Sequence, residues 1–263
     1  MTDMSDDLKA LNQTRYAATA QKYVDSQIHA SGMWLQDLVK LTNPQPDWHV
    51  LDVATGGGHT ALAFAPHVAQ VTATDFTPPM LAVARRFITA QGRANVRYAV
   101  ADAERLPVAA HSLDCVTCRV AAHHFPDIFA FVRQAYRTLK PGGVLVIHDH
   151  VMPNDAAAAR YVNAYEKLRD PAHARALTEY EWRGIVLDAG FTIPHIEQRT
   201  MQHQLYPWAQ RQNCDDDTIE RLQVMLLRAP QKVAAWLQPQ HAGTASATHT
   251  DHHIIIIGQK PNG

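Results

Sequence analysis

The chain has 263 residues, enough for one large core or a core with insertions, and its 24 lysines and arginines nearly balance 25 aspartates and glutamates. A formal net charge of −1 supplies no long-range field to gather a nucleic acid or an anionic membrane, so a small-molecule enzyme is expected. No apolar run approaches the ~20 residues of a membrane span, and the start MTDMSDDLKA is acidic where a signal peptide is basic, so a cytoplasmic location is expected.

Residues 1–43 read as a mostly helical cap, with Tyr16, Tyr23, Ile28, Met33, Trp34, Leu35, Leu38 and Leu41 supplying its apolar positions, until NPQPD breaks the chain. Five short apolar runs follow: WHVLDV, AQVTATD, NVRYAVAD, LDCVTCRV and GVLVIHDH. Their length and β-branched content predict strands, and TPPMLAVARRFITAQG and DIFAFVRQAYRTLKPGG between them predict helices. Thr77 with Pro78 opens the first of these helices, and Gly142 and Gly143 close the second. This alternation predicts an α/β fold with a mostly parallel sheet and helices on both faces. Cys115 and Cys118 lie three apart on a strand and so on opposite faces, which prevents chelation; three cysteines also argue against a disulfide framework.

Beyond the core, EYEWRGIVLDAG predicts a helix ending at Gly190, and FTIPHIE and HHIIIIGQK predict two further strands separated by more than fifty residues. That separation holds a helical stretch over 215–237, with Leu222, Met225, Leu226, Val233 and Trp236 as a dimer face or a lid. The polar HTDHH before the isoleucines reads as a solvated strand entry. We expect one domain over 1–263, with 151–180 and 198–251 as substrate-covering insertions, in a monomer or homodimer. Tyr161, Tyr165, Tyr206 and Trp208, with Tyr16, Tyr23 and Trp34, suit an apolar or aromatic acceptor.

The chemistry starts in VLDVATGGGHTALAFAP. Gly56, Gly58 and Ala61 fit the GxGxxA dinucleotide pattern, and Asp75 follows at the spacing of a ribose-binding acid, so an NAD-dependent oxidoreductase is one reading. Against it stands Asp52, which would repel a pyrophosphate. Three strands end in an acid, Asp52, Asp75 and Asp102, and strand ends are where open α/β sheets bind ligands. S-adenosylmethionine suits them, with a sulfonium and ammonium near the glycine loop, a ribose diol for Asp75 and an adenine amino group for Asp102.

VLDVATGGG, VTATDFTPPMLAVAR, VADAERLPVAAHSLDCVTCRVAAHHFPD and LKPGGVLVIHDH, in that order, resemble the class I S-adenosylmethionine-dependent methyltransferases. More narrowly, they resemble the type 11 group related to ubiquinone and menaquinone biosynthesis methyltransferases. The likeness spans about residues 16–197, and its one departure is Ala54, where the family usually has its first glycine. It implies that Asp52, Ala54, Gly56 and Gly58 form the loop under the methionine moiety and that Asp75 binds the ribose diol. Phe76 and Met80 then pack near the adenosine, Asp102 and Ala103 meet the adenine, and Arg119 to His124 line the reactive end. The resemblance likewise implies S-adenosylhomocysteine as the product and a small-molecule methyl acceptor as the partner. Together with the two later strands, it implies a Rossmann-like, seven-stranded sheet with an antiparallel C-terminal edge strand.

His123 and His124, directly after the fourth strand, are the candidate catalytic residues, as a proton-accepting base or as lining. His148 and His150 share one strand face with Asp149 opposite. With His123 or His124 they could hold a metal, but sixteen histidines make such coincidences common and no metal is expected. A methyltransferase fold that binds the cofactor for other chemistry is the remaining alternative.

Overall fold

Four consecutive isoleucines in the C-terminal strand tie together the two hydrophobic layers of the sheet. Side chains alternate along a strand, so Ile254 and Ile256 enter one hydrophobic layer while Ile255 and Ile257 enter the other, and all four are buried. The computed structural model describes residues 2–25 and 34–262. Its elements run α1 (Thr2–Asp25), α2 (Leu35–Thr42), β1 (His49–Val53), α3 (His59–Phe64), β2 (Gln70–Asp75), α4 (Pro78–Ala90), β3 (Val96–Val100), β4 (Leu113–Arg119), α5 (Ile128–Thr138) and β5 (Leu139–Met152). There follow α6 (Ala156–Arg169), β6 (Leu177–Thr178), α7 (Glu179–Asp188), β7 (Thr192–Gln204), α8 (Leu205–Gln210), α9 (Asp216–Leu227), α10 (Gln231–Leu237) and β8 (Thr248–Gln259).

The sheet order is β3-β2-β1-β4-β5-β8-β7, with the short β6 pairing only with β5. The first five strands are parallel; β8 is antiparallel to both β5 and β7. The last two strands therefore form the expected edge pair, but the C-terminal strand lies inside it and β7 is the outer edge. Strand order reverses between β1 and β4, and at their carboxyl ends the chain leaves a crevice.

One face of the sheet packs Leu51, Val116 and Leu145 against α5 and α7 through Phe131, Val132, Trp182 and Val186. The other packs Val50, Val71 and Val146 against Leu38 and Val39 of α2, Phe64 of α3 and Ile88 of α4. Cys115 and Cys118 fall in these opposite layers as free buried thiols, in accord with their strand spacing. Helix starts are satisfied locally: Asp127, Asp155 and Asp215 accept backbone N–H groups, and Thr178 with Glu181 forms a capping box.

Three expectations change. The helix before Gly142 ends at Thr138, and LKPGG belongs to β5, where the register with β4 shifts between Leu113 and Cys115. β7 extends to Gln204 because β8 pairs with it along its whole length, so the irregular insertion begins at 205 rather than 198. The helical stretch 215–237 is two helices divided before Pro230, which lacks the N–H that a continuous helix needs. Their apolar face packs inward: Leu222, Leu226 and Val233 are buried in a third cluster with Val162, Tyr165 and Trp208 of this same chain.

Candidate active site

At the carboxyl ends of β1 to β5 lies a cavity of about 280 Å³, room for a ligand where a single water takes about 30 Å³. Its floor at one end is the turn after β1. There Ala54, Gly56 and Gly58 have φ of 53°, 52° and 87°, and Thr55 N–H donates to Thr74 O at 2.8 Å. Gly58 is held by packing, since a Cβ would stand 2.8 Å from Ile88 Cδ1. A Cβ on Gly56 would meet no atom and would enter the cavity, so the turn leaves that space clear for a ligand. Ala54 holds the left-handed conformation without being glycine, a strain of roughly 1–2 kcal/mol. Val120, at φ 51° in the cavity wall, is a second strained residue.

Asp75 ends β2 and is anchored by two backbone donors: Gly56 N–H to Oδ2 at 3.0 Å and Thr77 N–H to Oδ1 at 2.8 Å. Burial raises its pKa against those hydrogen bonds. Phe76, Met80, Asp102, Ala103 and Arg119 also line the cavity. Asp52 and Gly58 do not. Asp52 is buried beneath the turn, where Thr55 Oγ1 donates at 2.6 Å and Thr117 Oγ1 at 2.7 Å. Burial pushes its carboxyl up to about 6, opposed by those hydroxyls and by Arg119. Asp52 therefore supports the loop from below, and Thr55 is the residue that meets the ligand space.

Helix α1 closes this end. Lys9 Nζ donates to Asp102 at 2.8 Å and to Glu104 at 2.6 Å, and Gln13 Nε2 donates to Phe76 O at 2.8 Å. The two carboxylates outweigh the cost of burying Lys9 and raise its pKa. Further along the helix, Tyr16 OH lies 2.9 Å from Asp170 Oδ2 and 2.8 Å from His124 Nε2. The other ring nitrogen of His124 is 3.0 Å from Ala172 O, which only accepts.

His123 stands where strand and acid meet. Its Nδ1 is 2.5 Å from Asp149 Oδ1, and its backbone N–H donates to Asp149 Oδ2 at 2.9 Å. Burial, with His124 and His150 nearby, holds His123 well below the usual imidazole range, and burial raises Asp149. A neutral ring that gives its Nδ1 hydrogen to Asp149 keeps a lone pair on Nε2 for an incoming proton. Asp149 points away from His148 and His150, as the strand period requires, yet becomes the orienting carboxylate. The signal was in the sequence, an acid near the end of the apolar run GVLVIHDH, as acids close three other such runs.

The far end is lined by His150, Arg169, Asp170, His203, Trp208, Asp251 and His253. HTDHH is thus not a solvated entry: His249, Asp251 and His253 are at most 5% exposed, because β8 is an interior strand. His148 shares a face with His150 but lies buried beside Trp34 and His253, outside the cavity lining. The aromatic set divides. Tyr16 and Trp208 reach the cavity, while Tyr161, Tyr165 and Tyr206 belong to the third cluster; the side chain of Tyr23 lies outside the described residues. Trp208 already stacks on Tyr165 and carries Arg169 at 4.1 Å over its ring.

Residues 51–147 match the sequence profile of a methyltransferase domain. An uncharacterised methyltransferase named YcgJ from Bacillus subtilis is 36% identical over 200 residues, covering 76% of this chain and 79% of its own length. Its crystal structure superposes with a TM-score of 0.84 over 87% of this chain and 98% of that one. A Bacillus halodurans structure, proposed to be a methyltransferase, gives 0.83 at 34% identity, covering 86% and 98% of the two chains. A demethylmenaquinone methyltransferase of Listeria monocytogenes is 32% identical over 57% of this chain and 66% of its own.

Proposed function

The chain belongs to the class I S-adenosylmethionine-dependent methyltransferases, and from that premise we propose that it methylates a small polar acceptor at an O–H or N–H group. The observation that carries this reading is the make-up of the cavity's far end, where histidine, aspartate and arginine outnumber apolar side chains and His123 is backed by Asp149. One relative is named a demethylmenaquinone methyltransferase; the lining of His150, Asp170, His203, Asp251 and His253 here suits a hydrogen-bonding metabolite. The apolar or aromatic acceptor expected from the tyrosines is set aside for the same reason. Most of those rings pack on one another.

The cofactor fits the near end. Asp75 has carboxylate lone pairs left over from its two backbone donors for a ribose diol, and the open space over Gly56 admits a close ligand. Phe76 and Met80 give an apolar wall, and Asp102, whose Oδ1 accepts Glu104 N–H, keeps acceptor capacity toward an adenine amino group. When bound, S-adenosylmethionine supplies an activated methyl group on sulfur. The chain's own work is to orient the acceptor, exclude water under α1 and remove a proton. His123 Nε2 takes the proton, and Asp149 stabilises the imidazolium that results. Tyr16, His124 and Asp170 hold the α1 side of the cavity shut by one hydrogen-bond chain. Helix α1 then acts as the cap, and 151–180 and 205–247 cover the acceptor within one domain.

Calorimetric titration with S-adenosylhomocysteine and with NAD separates the readings, alongside Asp75→Ala. Binding of S-adenosylhomocysteine that is lost in Asp75→Ala is expected. Binding of NAD alone would overturn the proposal. Incubating a metabolite extract with isotopically labelled cofactor then identifies the acceptor, and label recovered only in isoprenoid lipids would refute the polar assignment.

A further inference from the structure

At the far end of the cavity, β5 and β8 lie antiparallel with His150 directly opposite His253. Asp251 precedes His253 by two residues and shares its face. Directly paired side chains on one sheet face lie close enough to act together. The backbone therefore sets two imidazoles and a carboxylate side by side before any ligand arrives. Their donor atoms all lie within 4.8 Å of one another, a span that a small inward rotation around one ion, about 2.1 Å from each donor, would close.

Two further observations point to a ligand. His253 is 1% exposed, and among the described residues neither of its ring nitrogens has a hydrogen-bond partner. An imidazole always carries at least one N–H and one lone pair or two N–H groups, so leaving both buried and unmet is costly. A cation bonded to one nitrogen removes that cost at the lone pair. Asp251, in turn, is braced from behind by His203, whose Nε2 lies 3.1 Å from Oδ2, while His249 Nε2 stands 3.3 Å from Oδ1 without making a hydrogen bond among the described residues. Outer contacts of this kind fix the orientation of a ligating carboxylate, while each oxygen keeps a further lone pair. All three triad residues line the same cavity as His123, and the His123 and His150 rings are 4.8 Å apart.

We propose that His150, Asp251 and His253 bind one divalent first-row transition ion on the acceptor side of the cavity. Two imidazoles and one carboxylate leave coordination positions open, the arrangement that suits zinc, iron, cobalt or manganese rather than a closed structural site. The open positions face the ligand space and would take an oxygen or nitrogen of the acceptor, lowering the pKa of the group that His123 deprotonates. This acceptor role rests on the methyl-transfer reading; the ion site itself does not.

The test uses the full-length chain without an affinity tag, stripped with a chelator and titrated with Co²⁺ by visible absorption and calorimetry. One equivalent per chain is expected, with ligand-field bands that Zn²⁺ displaces. Asp251→Ala and His253→Ala should each weaken binding by ~100-fold or more, and His148→Ala, outside the triad, should bind like the parent. Absence of stoichiometric binding to the parent protein overturns the site even if the triad variants fail to fold. Unchanged binding in folded triad variants, judged by circular dichroism, overturns it equally. S-adenosylhomocysteine is titrated into the same samples. Retained S-adenosylhomocysteine binding without Co²⁺ binding rejects the ion and spares the methyltransferase reading. Co²⁺ binding without S-adenosylhomocysteine binding supports the ion site and rejects its assignment to methyl transfer.

Discussion

Replacing Asp52 by asparagine separates the support of the glycine turn from the binding of a ligand. The carboxyl is fully enclosed, receives Thr55 and Thr117, and is pushed from 3.8 up to about 6, chiefly by burial. That difference disfavours its ionised form by about 3 kcal/mol. A carboxyl whose folded value is raised contributes stability that is complete below the unfolded value and is lost as pH rises through the folded one. Wild type therefore loses about 3 kcal/mol from this group between about pH 4 and pH 7, and Asp52→Asn does not. The amide occupies the same space, and each threonine hydroxyl can reverse its bond to suit. Arg119, lowered by burial to about 10, stays charged over this range, and its attraction to the ionised carboxyl is already contained in the value of about 6. Urea denaturation of both proteins across that pH interval gives the difference directly, and contributions from other titrating groups cancel. Parallel curves would refute the placement of an ionisable, desolvated carboxyl under the turn.

The two glycines of the turn should behave differently. Gly58→Ala meets Ile88 at 2.8 Å and Ala84 at 3.1 Å in a left-handed conformation, so a loss of about 2–3 kcal/mol is expected in urea melts. Gly56→Ala meets nothing and should lose only about 1 kcal/mol, while calorimetry shows a weaker affinity for S-adenosylhomocysteine; equal stability losses would contradict the geometry. Asp149→Asn leaves the cofactor end intact but deprives His123 of its orienting carboxylate, so kcat should fall ~100-fold or more with S-adenosylhomocysteine affinity unchanged. A full-rate variant would remove His123 from proton transfer. Acidification gives the fourth expectation. Burial lowers His123, His148 and His150, and takes His253 to about 3. Groups with lowered imidazole values contribute stability that is complete above 6.5 and is lost as pH falls, since the unfolded chain takes up the protons. The thermal midpoint should drop steeply below that pH, and a flat profile would mean that these rings are hydrated.

Period and punctuation carried much of this protein. Alternating apolar runs and helix-like segments are local properties, so the parallel sheet, its helical layers and the glycine turn were legible, as was the acid at the end of β2. Cys115 and Cys118 illustrate how far a strand period reaches, since it assigned them to opposite layers correctly. His123 and His124 were legible as strand-end residues on a fold whose ligands bind there.

What the chain could not declare by itself depends on neighbours distant in sequence. HTDHH is polar, and only the insertion of β8 between β5 and β7 makes it interior, which brings Asp251 and His253 against His150. Helices 216–227 and 231–237 show an apolar face that sequence leaves without a partner; the packed chain supplies one in Val162 and Tyr165. Asp52 and Asp75 look alike as strand-end acids, yet one lies under the turn and the other opens on the cavity. Local sequence determined the turn, the strands and the acids, because those follow from backbone geometry and side-chain period. Tertiary structure alone decided which acid faces a ligand and which histidines meet, because a side chain's burial is set by whichever strand pairs beside it.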